Sequence, residues 1–166
     1  MRPEPIPLRR PRTLRPGDTV GLVALADGDA VLFPARTRRA IENLTTMGFR
    51  VREGNLGTLA PNGKAGAPRE RADAFNALVA DPSVAAIISV IGGGSTVHTL
   101  PFIDFGAPRP SPQVLLGYSD FSTLLLAALA RSGVAGFHGP ALLPQFGEVG
   151  GLDPYARAAF EDVLMR

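Results

Sequence analysis

The chain has 166 residues, 17 lysines plus arginines against 15 aspartates plus glutamates, and 45% apolar residues with 7% aromatics. That length supports one domain with a real core, and a formal charge of +2 is too small for a nucleic-acid surface, which needs a dense basic face. The lack of cysteine removes disulfides, thiolate metal sites and a cysteine nucleophile together.

No run approaches the roughly 20 apolar residues needed to span a bilayer, so no membrane partner is expected. Proline and arginine occupy the place where a signal peptide would carry its apolar core, and a cytoplasmic location is expected. Lys64 is the sole lysine among the basic residues, a bias that resembles coding preference more than function.

Residues 1–16 interleave Pro3, Pro5, Pro7, Pro11 and Pro16 with Arg2, Arg9, Arg10, Arg12 and Arg15. This composition favours extended, solvated backbone and predicts a flexible arm. From residue 17 to 166 the pattern is regular and predicts one domain. Thr19 to Leu25 reads as a strand, and Pro34 to Met47 as a helix with Ile41 and Leu44 inward, stopped by Gly48. Phe49 to Arg52 is a short strand, followed by a polar, glycine-rich loop from Gly54 to about Ala67 with no periodicity of its own. Such a loop is usually functional or mobile.

Pro68 to Ala80 predicts a second helix, with Ala72, Phe75, Leu78 and Val79 as its buried stripe. Ala85 to Ile91 is a continuous apolar strand, followed by Gly92-Gly93-Gly94 and a short helix from about Ser95 to Phe102. Val114 to Leu116 is the next strand, Phe121 to Arg131 the next helix, Val134 to Phe137 another strand, and Pro154 to Met165 a terminal helix. Apolar strands alternating with helices imply an α/β domain, with a mostly parallel sheet and helices on both faces.

Three features fall at predicted carboxyl ends of strands: the glycine run 92–94, Ser119 and His138. Side by side they would meet in one crevice, the ligand site expected of such a sheet. The glycine run is not a dinucleotide fingerprint, because Val97 stands at the third glycine position. Bare amides there can still approach a phosphate or a carbonyl oxygen gaining charge. Gly63-Lys64-Ala65 lacks both the earlier glycine and the hydroxyl of a phosphate loop.

Ser119 follows an apolar strand and opens a helix, where unpaired amides and the helix dipole favour developing negative charge. The same position suits a plain N-cap. Gly117 stands two before the serine as in a nucleophile elbow, but Phe121 occupies the second glycine position. Asp120 is expected to matter through its backbone amide rather than its carboxylate. His138 is read as a base for Ser119 or as a packed side chain. Neither His138 nor His98 has a neighbour at metal-ligand spacing, so no metal is expected.

Arg15-Pro16-Gly17-Asp18, Arg71-Ala72-Asp73, Ile88 to Gly93, Leu100 to Asp104, Gly117-Tyr118-Ser119-Asp120, Phe137-His138-Gly139-Pro140 and Gln145-Phe146-Gly147-Glu148 occur in the order and spacing of a known family. From about residue 13 onward the chain resembles the LD-carboxypeptidase family of serine peptidases, and Gly139 to Pro144 is similar to its microcin C immunity branch. The resemblance implies a hydrolase acting on a peptidoglycan peptide or an aminoacyl-nucleotide antibiotic, with Ser119 as nucleophile. It also implies an oxyanion hole built from the amides of Gly93 and Asp120. Substrate contacts are expected from Gly92, Gly94, Ser95 and His138.

The resemblance further implies a homodimer and no metal or organic cofactor. In the family, the glutamate and histidine that complete the triad lie in a second, C-terminal domain that these 166 residues do not include, so a nucleophile-bearing half that needs its complement is expected. The alternative is a hydrolytically inactive module that keeps the crevice for binding a ligand or a homologue. Ala24-Leu25-Ala26 also replaces the family's Ala-Pro-Ser after the first strand.

Overall fold

The computed structural model describes residues 6–106 and 111–166. Five strands form one parallel sheet: β1 (Thr19–Val23), β2 (Arg50–Glu53), β3 (Val84–Ser89), β4 (Val114–Gly117) and β5 (Phe137–His138), in the spatial order β2-β1-β3-β4-β5. The helices are α1 (Asp29–Leu32), α2 (Pro34–Thr46), α3 (Pro68–Ala80), α4 (Ser122–Ser132) and α5 (Pro154–Leu164). Chain order reverses between β1 and β3, so the loops leaving these two strands diverge and open a crevice at the sheet's carboxyl edge.

Alternation along each strand splits the core in two. Val20, Leu22, Ala86, Ile88, Val114 and Leu116 face a layer with Ala40 and Leu44 of α2 and Phe160 of α5. Val23, Ile87 and Leu115 face the other way, onto Ala72, Phe75 and Leu78 of α3 and Leu124 and Ala128 of α4. With both faces covered, the central strands read as continuous apolar runs, and that is why they were legible. Proline opens α2, α3 and α5, where its missing N–H is no loss. Asp153 caps α5 by accepting from the amides of Tyr155 and Ala156 at 3.0 and 3.1 Å.

Several expectations shift. The outer strand is Phe137–His138, not Val134 to Phe137. Val134 instead bridges to Arg9, whose amide donates to the Gly133 carbonyl at 2.8 Å and whose carbonyl accepts from Ala135 at 3.0 Å. The described part of the segment expected to be a solvated arm therefore lies along the body, and Leu14 is buried in the core.

The helix expected from about Ser95 is a 3₁₀ segment, Thr96–Phe102, with Pro101 inside it; proline cannot donate to an α-helical ladder. The four-residue α1 and a π-helical turn at Leu142–Phe146 are too short for periodicity to reveal. Among the described residues no helix is long and apolar enough to cross a membrane.

The loop from Gly54 to Ala67 carries no periodicity but is tied down. Asn55 accepts from the Ala24 amide at 3.0 Å and donates to the carbonyls of Ala24 and Ala65 at 2.8 and 3.2 Å. Gly28 donates to Gly63 at 2.9 Å and Ala65 to Ala26 at 3.0 Å, so the loop is stitched to the turn that follows β1.

Candidate active site

Three turns converge at the carboxyl edge: residues 24–28 after β1, 90–95 after β3 and 118–121 after β4. Ser119 opens a 3₁₀ turn, Ser119–Phe121, that runs directly into α4. Its side chain lies on an exposed residue, and its φ of 57° is the sole positive value at a non-glycine position among the described residues. A side chain held there costs about 1–3 kcal/mol, a strain that clusters at functional sites. The Asp120 amide is in the first turn, where no preceding helical carbonyl can engage it.

The glycine bend rests on this serine. A Cβ added to Gly92 would stand 3.0 Å from both Cβ and Oγ of Ser119 and 3.7 Å from the Asp120 nitrogen. Gly93 has φ 146°, open in practice to glycine alone, and a Cβ on it would stand 2.6 Å from Ala26 Cβ and 3.0 Å from Asp27 Oδ1. Gly93 and Gly94 are exposed whereas Ser95 is buried. The bend thus presents bare backbone beside the hydroxyl and buries its far end.

That buried end is held by charge. Both Ser95 and Thr96 amides donate to Asp120 Oδ2, at 2.9 and 2.8 Å. Arg71, only 2% exposed, donates through Nη1 to Ser95 Oγ at 2.9 Å and to the Leu25 carbonyl. Burial pushes the Arg71 guanidinium down from its ordinary value, while Asp120 and Asp27 oppose that shift. One arginine therefore ties the turn after β1 to the turn after β3, and the Asp120 carboxylate ties the latter to the serine turn. The Asp120 carboxylate has a structural role that was not expected of it.

Arg71 also went unread as a site residue. Its signal was its position, four before Phe75 and seven before Leu78, on the apolar stripe of α3. A charge on that stripe needs buried partners.

The other wall holds Tyr118 and His138. β5 pairs with β4 so that His138 lies opposite Gly117. Its ring meets Tyr118 edge-on at 6.0 Å between centroids, and Gln145 Nε2 donates to the Tyr118 hydroxyl at 3.2 Å. His138 is exposed, and no hydrogen bond joins it to Ser119 among the described residues. With Gly139, Pro140, Gln145 and Ala156 these two residues line a shallow depression.

The arrangement can hold a carbonyl carbon near Ser119 Oγ with its oxygen toward backbone donors, the geometry of acyl transfer. No base hydrogen-bonded to that hydroxyl is present among the described residues.

A parallel α/β domain with a strained serine turn against a glycine bend defines a class of hydrolase-like folds. The LD-carboxypeptidase N-terminal domain matches residues 20–139, and the chain belongs to this family. It is 36% identical over 150 residues to the microcin C7 self-immunity protein MccF of Escherichia coli, covering 90% of this chain and 44% of that protein. It is 29% identical over 155 residues to a Bacillus subtilis protein named probable murein peptide carboxypeptidase, covering 93% and 47%.

The solved structure of MccF superposes with a TM-score of 0.88 at 35% identity, over 94% of this chain and 47% of that one. MccF has also been solved with aspartyl sulfamoyl adenosine, and a mutant of MccF with adenosine monophosphate. The chain thus spans about half the length of the relatives it matches.

Proposed function

We propose that this chain is the nucleophile-bearing half of a serine carboxypeptidase that cuts a C-terminal amide bond in a peptidoglycan peptide or an aminoacyl nucleotide. The observation that carries the reading is the strained, exposed Ser119 lying against Gly92. Ser119 Oγ attacks the scissile carbonyl, and the resulting oxyanion is received by the amides of Gly93 and Asp120. Gly92, Gly94 and His138 border the substrate, whereas Ser95, expected to touch it, is buried behind the bend with its amide on Asp120 and its hydroxyl on Arg71.

The base that takes the serine proton comes from a second domain, because a serine hydroxyl alone is a weak nucleophile at neutral pH. Names and ligands of the family's members support both substrate classes.

The test supplies the C-terminal half of MccF in trans and follows release of the C-terminal group from a murein tetrapeptide and from an aminoacyl nucleotide. Release requires both halves and falls by about a thousandfold or more in Ser119→Ala. Full release by Ser119→Ala overturns the assignment.

A second reading, a binding module without hydrolysis, is favoured by the serine's lack of a bonded base. It predicts ligand binding unchanged by the added half and no turnover. Self-association accompanies either reading, in a cytoplasmic protein. The groove between β5 and α5, lined by Phe137, Pro140, Tyr155, Ala159 and Val163, leaves Tyr155 84% and Val163 59% exposed. Light scattering is expected to show a dimer or larger, and a monomer at high concentration contradicts it.

A further inference from the structure

Beside Gly93 stands an ion pair that the catalytic reading does not use. Asp27 Oδ1 accepts from Lys64 Nζ, and the two side chains are 31% and 29% exposed. The backbones of Asp27 and Lys64 form an antiparallel bridge, flanked by the Gly28–Gly63 and Ala65–Ala26 hydrogen bonds. The pair is held on fixed backbone at the crevice rim rather than on a free loop.

The carboxylate lies close to the glycine whose amide is proposed to receive the oxyanion. A Cβ on Gly93 would be 3.0 Å from Asp27 Cγ and Oδ1. Asp27 Oδ2, in contrast, has no hydrogen bond among the described residues. The cation is the chain's sole lysine, the other 16 of its 17 basic residues being arginine. An arginine clamps both carboxylate oxygens in parallel, whereas an ammonium is a point charge that leaves one oxygen available.

A partly exposed ion pair of this kind contributes little to stability.

We infer that Asp27 is a specificity-determining residue, whose free oxygen binds an ammonium on the carbon next to the scissile carbonyl. This rests on the hydrolase reading and sharpens it. An acyl group with a free α-ammonium, as in an aminoacyl nucleotide, is favoured over one whose α-nitrogen is already in a peptide bond. With the carbonyl oxygen at the Gly93 amide, such an ammonium is directed along the bend toward Asp27. Lys64 holds the carboxylate in place and competes with the ligand for it.

The test is an amide-resolved NMR titration of the 166-residue chain with aspartyl sulfamoyl adenosine, its Nα-acetyl derivative and adenosine monophosphate. The free-amine compound is expected to bind about tenfold or more tightly than the acetylated one. Asp27→Asn removes the preference while leaving the acetylated compound's affinity unchanged. Lys64→Met keeps or widens the preference, an outcome that a merely structural ion pair does not produce.

Equal binding of the two aspartyl compounds by the native chain, or a preference that survives Asp27→Asn, overturns the inference and leaves the hydrolase reading standing. If none of the three compounds shifts the amides around Gly93 and Ser119, the reading of the crevice falls and takes the inference with it.

Discussion

The two walls of the crevice are built differently. On the inner wall, the turns after β1, β3 and β4 are joined through Arg71, Ser95 and the Asp120 carboxylate, all tied by hydrogen bonds of 2.8–2.9 Å or closer. On the outer wall, β5 has two residues, His138 is exposed, and Tyr155 stands 84% in solvent. On the proposed function, a pocket that receives a developing oxyanion gains from donors fixed before the reaction, and a wall that meets a second domain would not need to be finished by this chain.

The contrast is broken most severely at Arg71. Arg71→Leu leaves the Ser95 hydroxyl and the Leu25 carbonyl without their donor. Urea unfolding is expected to show a loss of about 3 kcal/mol. A change below about 0.5 kcal/mol would show that the inner wall does not depend on it.

Gly93→Ala comes next. It forces a side chain into φ 146° against Ala26 and is expected to cost about 1–3 kcal/mol, with amide shifts concentrated in residues 90–96. Unchanged stability would contradict the packing of the bend.

Asp18→Asn is expected to cost less than about 1 kcal/mol at neutral pH, because Arg12 is half exposed. The hydrogen bond from Arg12 holds the Asp18 carboxyl below its ordinary range; burial opposes this and the Arg15 amide adds to it. A lowered carboxyl pKa stabilises the fold above the ordinary value and loses that contribution as pH falls through the lowered one. The difference between native and variant chains should therefore begin to shrink as pH falls past about 4 and disappear only once pH is below the lowered pKa. A penalty independent of pH would contradict the ion pair.

The smallest effect belongs to the outer wall. His138→Ala is expected to stay within about 0.5 kcal/mol of the native chain. A larger loss would place His138 in the framework.

The sequence made the layered framework legible because strands covered on both faces are written as unbroken apolar runs, and because prolines mark the starts of α2, α3 and α5. Ser119 and the glycine bend were legible as punctuation between such runs. The Asp27–Lys64 pair was not, since residues 37 positions apart meet only once the long loop folds back onto the turn after β1. Nor was the register of β5, where the N-terminal segment, read as solvated, takes Val134 for itself. Short 3₁₀ and π turns leave no periodic trace, so the local geometry of Thr96–Phe102 and Leu142–Phe146 waited for the fold.

The central claim is that the turn after β4 holds Ser119 ready for acyl transfer against the glycine bend. Its most direct test is covalent capture with a fluorophosphonate, in which the serine oxygen displaces fluoride from phosphorus, read by peptide mass spectrometry with and without the C-terminal half of MccF. The account predicts one adduct, on Ser119, formed faster when the second half is present and absent in Ser119→Ala. Modification of another serine, or no adduct on Ser119 in the completed assembly, would contradict it.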